Sequence, residues 1–179
     1  EPWSSIPEQA RSNTPSPVQA LPPAKAASKT SFVLEMLRRP QGATIDQMVA
    51  LVGDVEAYPE FIPWITQMRT WNAVTRAPGV TQVDAEAGVG FKFLSERFAT
   101  RVLRDENQGR VEVALLYGPF RKLSNIWAFY PDPAGTRIEF SIDFEFKTRL
   151  LDALLKANMN SAVERLIQCF VERAEQLYA

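Results

Sequence analysis

The last 31 residues contain neither glycine nor proline, and Leu151, Leu155, Met159, Val163, Leu166, Phe170 and Leu177 recur through them largely at three- and four-residue steps. The charged Arg149, Asp152, Lys156, Glu164, Arg165 and Glu172 fall mostly elsewhere. Behind Thr148 this pattern predicts one amphipathic helix, about 45 Å long at ~1.5 Å per residue. An apolar stripe of that length has to be buried against something equally broad. The chain upstream offers strands. Ile138, Phe140, Ile142, Phe144 and Phe146 alternate with Glu139, Ser141, Asp143, Glu145 and Lys147, directly after a Pro131-Asp132-Pro133-Ala134-Gly135 turn. Val83, Ala85, Ala87, Val89 and Phe91 alternate with Asp84, Glu86, Gly88 and Gly90. Phe98, Thr100 and Val102 continue the pattern, and Asn107-Gln108-Gly109 turns it into Val111, Val113 and Leu115. Periodicity alone therefore gives an α+β chain, a curved antiparallel sheet wrapped around a long C-terminal helix.

Between the first helical segment and the strands lies Val52-Gly53-Asp54-Val55-Glu56-Ala57-Tyr58-Pro59-Glu60-Phe61-Ile62-Pro63-Trp64. It is too broken for one helix and too rich in proline for a central strand. Before it, Ile45, Met48, Val49 and Val52 have a helical period behind a Thr44 cap, with Gly53 as the stop. Asp54 is expected to cap a second short turn that Pro59 ends, pushing Tyr58 toward extended geometry. Tyr58, Phe61 and Trp64 then sit on a bent connector.

The Asp54-Val55 pair, Tyr58-Pro59, Phe61 and Pro63-Trp64, with Leu116-Tyr117-Gly118-Pro119-Phe120, Leu123 and Trp127 further on, resemble the coenzyme Q-binding START-domain family. That family lies within the polyketide cyclase and lipid-transfer superfamily and has ribosome association toxins among its bacterial members. The resemblance runs from about Thr44 to Tyr178. It implies a START-like helix-grip fold and a cavity between sheet and helix for a hydrophobic lipid, such as the isoprenoid tail of ubiquinone, in support of respiratory electron transfer. As the alternative to that preferred reading it implies a different partner, the large ribosomal subunit, whose association the toxins block. The location implied is the bacterial cytoplasm, peripheral to the inner membrane, or the mitochondrial inner membrane in a eukaryote. The family's first strand is not evident, because Ser31 to Gly42 does not alternate and Arg38-Arg39-Pro40 falls where it should end.

Composition narrows the chemistry. The 179 residues, 46% hydrophobic and 23% charged, suit one domain with a real core. Residues 1–30 hold six of the thirteen prolines and a single aromatic, Trp3, so residues 1–31 are expected to be a disordered tail and 32–179 the domain. There is no histidine. Ser-His and Cys-His catalysis and histidine metal sites are thereby excluded. The lone Cys169 sits among Leu166, Ile167, Phe170 and Val171 and reads as a buried core thiol. Asp84, Glu86, Glu139, Asp143 and Glu145 alternate with apolar residues and are expected to face water, with no partner that would tune them for catalysis. The chain is expected to be a non-enzymatic binding protein with no metal and no catalytic cofactor. A net charge of −1 provides no overall field for DNA, so nucleic-acid binding would need a local patch.

For the ligand, Ala85 and Ala87 opposite Phe140, Ile142 and Phe144 leave room for an apolar cavity, although such aromatic stripes also form solid cores. Met159 and Val163 of the C-terminal helix face the same space. Tyr58, Phe61 and Trp64 fit the cavity mouth or a hydrophobic plug, and the polar tips of Tyr58 and Trp64 suit a wet rim. Phe120 beside Arg121 and Lys122 makes a hairpin tip that can dip into lipid headgroups, or an ordinary turn with a solvated charge pair. Arg97, Arg101 and Arg104, near Lys92, are the densest positive stretch, with 97 and 101 on one strand face and 104 on the other.

Overall fold

Segments that alternate in hydrophobicity and are joined by tight turns pair with their sequence neighbours. In the structure, a computed structural model that describes residues 31–34, 43–91, 94–133 and 135–178, the strands do so. The strands are β1 (Ser31–Leu34), β2 (Ile65–Ala77), β3 (Val80–Phe91), β4 (Leu94–Asp105), β5 (Arg110–Tyr117), β6 (Phe120–Asp132) and β7 (Gly135–Phe146). They form one antiparallel sheet in the order β1-β7-β6-β5-β4-β3-β2. From β2 to β7 it is a plain meander, and β1 returns to β7 with Ser31 opposite Asp143 and Leu34 opposite Phe140. The first strand thus exists but is four residues long. Of the expected tail only Ser31 is described, as the first residue of β1; residues 1–30, Arg38-Arg39-Pro40 and Lys92 lie outside the described residues.

Helix α1 (Ile45–Gly53) begins with a reciprocal cap. The Gln47 N–H donates to the Thr44 hydroxyl at 3.2 Å and the Thr44 N–H donates to the Gln47 side chain at 2.8 Å. Met48, Val49, Leu51 and Val52 are buried against the sheet. The β4–β5 turn passes beneath it. A Cβ at Gly109, where φ is +59°, would lie 2.9 Å from Ile45 Cγ2 and 3.0 Å from the Phe129 carbonyl oxygen.

The connector is more helical than its prolines suggest. A 3₁₀ turn (Val55–Ala57) runs into α2 (Tyr58–Phe61). The Asp54 side chain makes no cap hydrogen bond, and Tyr58 is helical at φ −54°, ψ −41°. Pro59 therefore starts a turn instead of ending one, because its missing N–H costs nothing in a first turn.

The C-terminal helix also differs from expectation. It is two helices, α3 (Arg149–Lys156) and α4 (Met159–Tyr178), broken at Ala157–Asn158. Asn158, Asn160 and Ser161 favour caps over helix interiors, and the Ala162 N–H donates to the Asn158 carbonyl at 3.0 Å. The 20 residues of α4 run about 30 Å. Val163, Ile167, Phe170, Val171 and Ala174 are its buried stripe, while Leu177 is exposed.

Two apolar clusters fill the space between sheet and helices. The larger joins α1, α4, Ala85, Trp127 and Phe140; the smaller is Leu123, Phe144 and Phe146. Thr136, buried on β7, donates to the Ala43 carbonyl at 2.8 Å and ties the start of α1 to the sheet. Irregularity concentrates in β2, whose pairing with β3 shifts register three times and includes Asn72 at φ +54°.

Candidate functional site

Sheet pairing fixes which side chains share a face. Met68 of β2, Ala87 of β3 and Phe98 of β4 are cross-strand partners on the inner face, and Thr70, Ala85 and Thr100 form the next row. On β7, Ile138, Phe140, Phe144 and Phe146 are buried, yet Ile142 in the middle of the same stripe is only partly buried. Ile142 and Met159 each touch both clusters. They mark the seam between them.

Around that seam the inner face is apolar and still accessible. Met68, Phe98, Leu115, Ile142 and Met159 are all half-buried, and Ala87, beside Met68 and Phe98, presents only a methyl group. Large residues lining a sealed core would be closed off, as Phe140 and Phe144 are. The seam lies where the C-terminal helices break, since Met159 is the first residue of α4. The half-buried side chains there offer hydrocarbon, two thioethers and ring edges, and no acid-base pair among them.

The expected site residues fall into groups. Ala85, Phe140 and Val163 are buried in the larger cluster, with Tyr58, Phe61, Trp64, Ile142 and Met159 packed against it. Phe144 belongs to the smaller one. Tyr58 and Phe61 grip Phe170 edge-on at 5.2 Å each, and Phe170 meets Trp127 at 4.9 Å. The Tyr58 hydroxyl does not reach a wet rim. It donates to the Val52 carbonyl at the end of α1, 2.5 Å away, and burial, reinforced by Asp54, pushes this phenol well above its ordinary value. Trp64 is the half-buried outer member, with the Arg165 guanidinium 6.0 Å from its ring. Phe170 and Trp127 are the residues that sequence reasoning left out of the site. Their signal was present, one on the helical stripe and one on an alternating strand, but neither period tells which ring on a face will be central.

At the β5–β6 hairpin, the Phe120 ring turns inward against Phe98 at 5.3 Å and Phe146 at 4.5 Å. Arg121 and Lys122 are exposed, paired with Glu145 and Asp143. Cys169 is half-buried on α4 instead of fully enclosed, and burial pushes its thiol up, away from thiolate reactivity. Among the described residues no helix is long and apolar enough to cross a membrane.

Among the carboxylates expected to face water, one departs furthest from that expectation. Asp84, on the outer face of β3, is 2% exposed. Arg101 donates to it twice, at 2.7 and 3.0 Å, and Asn72 once at 3.0 Å. The Arg101 hydrogen bond holds the Asp84 carboxyl below the usual carboxylate range, against the opposing effect of burial.

Residues 42–171 match the family model described as polyketide cyclase / dehydrase and lipid transport. The ribosome association toxin RatA of Escherichia coli is 34% identical over 135 residues, 75% of this chain and 82% of the toxin. The mitochondrial coenzyme Q-binding protein COQ10 homolog B of Xenopus laevis is 27% identical over 141 residues, 76% of this chain and 56% of that protein. Among solved structures, the Caulobacter crescentus protein CC1736 is 53% identical, with a TM-score of 0.68 over 82% of this chain and 97% of its own. A START superfamily protein of Mycobacterium smegmatis, 22% identical, shares the fold at a TM-score of 0.65, covering 82% and 97%.

Proposed function

The chain belongs to the polyketide cyclase / dehydrase and lipid transport family, and on that premise we propose that it binds a long hydrophobic ligand of the polyprenyl quinone class between the sheet and the C-terminal helices, without catalysing its conversion. The observation that carries this reading is the accessible apolar seam at Ile142 and Met159, between two otherwise closed clusters. Burying hydrocarbon there stabilises a complex by ~0.8 kcal/mol per methylene and requires few hydrogen bonds. The half-buried Trp64 is the reporter. A short-chain quinone entering the seam should quench tryptophan emission saturably, and organic extraction of the purified protein with mass spectrometry should recover a quinone. Ile142→Phe, which fills the seam without adding an indole, should abolish both signals while the far-UV circular dichroism stays native. Saturable quenching that survives in Ile142→Phe would sink the assignment.

A second reading is association with the ribosome. It is favoured by the 34% identity to a protein named for that property, over most of both chains, and by the outer face of the sheet.

A further inference from the structure

Opposite the ligand seam, the outer face of β2–β4 presents four arginines over two carboxylates. Arg69 and Trp71 project from β2, Arg97 and Arg101 from β4, and Arg76 reaches Gln82 at 2.9 Å. Arg69 and Arg97 are 66% and 69% exposed. The acids beneath them are not free counter-charges at the surface. Asp84 is buried under the bidentate Arg101, and Glu86, 17% exposed, accepts from Tyr117 at 2.5 Å with Arg69 and Arg97 at 3.9 and 4.0 Å. Across β6 and β7 the pattern is different, because Arg121, Lys122 and Arg137 each have one carboxylate of their own at the surface.

Two irregularities build this patch. A register shift at Ala99/Thr100 makes Leu116 an extra residue in β5 and turns Tyr117 to the outer face. Its ring then lies across Ala99, which is fully buried, to reach Glu86 two strands away. In β2 the bulge after Trp71 puts Asn72 in the left-handed region, from which it reaches Asp84. The Arg69 guanidinium sits 5.5 Å from the Trp71 ring. The result is a sheet face carrying oriented guanidinium planes and two aromatic rings, on a chain whose net charge is −1.

We propose that this outer face, centred on Arg69, Trp71, Arg97 and Tyr117, binds an unpaired stretch of RNA. Arg101 is fixed on the buried Asp84, while the exposed Arg69 and Arg97 lean over Glu86 with their guanidiniums open to phosphate, and rings lying on an open sheet accept stacked bases, whose faces a duplex conceals. A lipid surface is the weaker fit, since the exposed aliphatic side chains here are the isolated Val74 and Leu116 rather than a cluster that could insert, and the charge is carried by guanidiniums beside rings. The inference deepens the ribosome reading and rests on it for the natural source of the RNA.

The test uses the full chain and a fluorescein-labelled single-stranded oligouridylate, with anisotropy read across a salt series. Arg69→Ala and Arg97→Ala should each weaken binding about tenfold and lower the slope of log affinity against log salt by about one. Trp71→Ala should weaken it at least fivefold with the slope unchanged, and Arg137→Ala on the far strand should have no effect. Circular dichroism checks that each variant stays folded. No binding by the parent chain, equal binding of a duplex, or binding insensitive to all three variants overturns the surface. Sedimentation with ribosomes tests the underlying reading separately. Oligonucleotide binding without co-sedimentation retires the ribosome and keeps the surface, whereas co-sedimentation unaltered by Arg97→Ala and Trp71→Ala keeps the ribosome and retires the surface.

Discussion

Phe170→Ala should be among the most destabilising single changes in the described chain. Phe170 is 1% exposed on α4 and has Tyr58, Phe61 and Trp127 edge-on at 5.2, 5.2 and 4.9 Å. Truncation withdraws roughly 120 Å² of ring surface, about 3 kcal/mol at ~25 cal/mol per Å². Three aromatic contacts add about 0.5 kcal/mol each at the low end of their range. The total, about 4.5 kcal/mol, lies within the ~3–5 kcal/mol known for buried Phe→Ala changes. For a domain of this size it corresponds to a melting temperature lower by about 13 °C. Urea titration followed by far-UV circular dichroism and by tryptophan emission supplies the number, with an unchanged m-value as the check on two-state behaviour. Phe170→Leu, which keeps the hydrocarbon and loses the ring edges, should cost about half as much. A loss below about 1 kcal/mol for Phe170→Ala would mean that the connector does not close on this ring, and the account of how Tyr58 and Phe61 are held would fall.

Other changes separate specific contacts. Gly109→Ala should cost about 2 kcal/mol by urea titration, since it combines a left-handed φ with a Cβ set against the Phe129 backbone; Gly53→Ala, whose Cβ meets only the flexible Arg104 side chain, should stay within about 0.5 kcal/mol. Tyr58→Phe leaves the Val52 carbonyl without its donor and should cost about 1 kcal/mol. Because the folded phenol has the raised pKa, its stabilisation is complete below about pH 10 and is lost above it, so alkaline melts of the parent should fall more steeply than those of the variant. Asp84 has the opposite sign. Its lowered folded pKa gives stability that is complete above the unfolded value of about 4 and disappears as pH falls through the folded one, and Asp84→Asn should flatten that acid limb; parallel curves would show that the Arg101 pairing is energetically idle.

The parts of the fold that were legible in sequence are those fixed by local period. Ile138 to Phe146 had to be a strand with one apolar face, and the Asn107-Gln108-Gly109 turn had to reverse the chain. Less legible was anything decided by a partner distant in sequence. The helix break at Asn158 is written in Asn158, Asn160 and Ser161, but an uninterrupted apolar stripe across it outweighed three weak preferences. Tyr58-Pro59 reads as a helix stop because a proline disfavours a helical residue before it, yet Tyr58 is drawn into a turn by its bond to Val52 and its contact with Phe170. Asp84 alternates like a solvent-facing carboxylate and is covered by Arg101 and Asn72 from the adjoining strands. No period announces a bulge, so the turning of Tyr117 outward and of Asn72 toward Asp84 could not be read from spacing.

The irregular β2 bears on how the protein behaves when concentrated. It is a 13-residue edge strand with no neighbour on its far side among the described residues, and a regular edge of that length would offer its unpaired amides to another molecule as a template. The three register shifts and the left-handed Asn72 interrupt the spacing of those amides, and Arg69 and Arg76 add charge along the same strand. The edge is thereby kept from growing. A sequence that smoothed it, with a β-branched residue at 72 and neutral side chains at 69 and 76, would leave the monomer's core intact and open a route to fibrils.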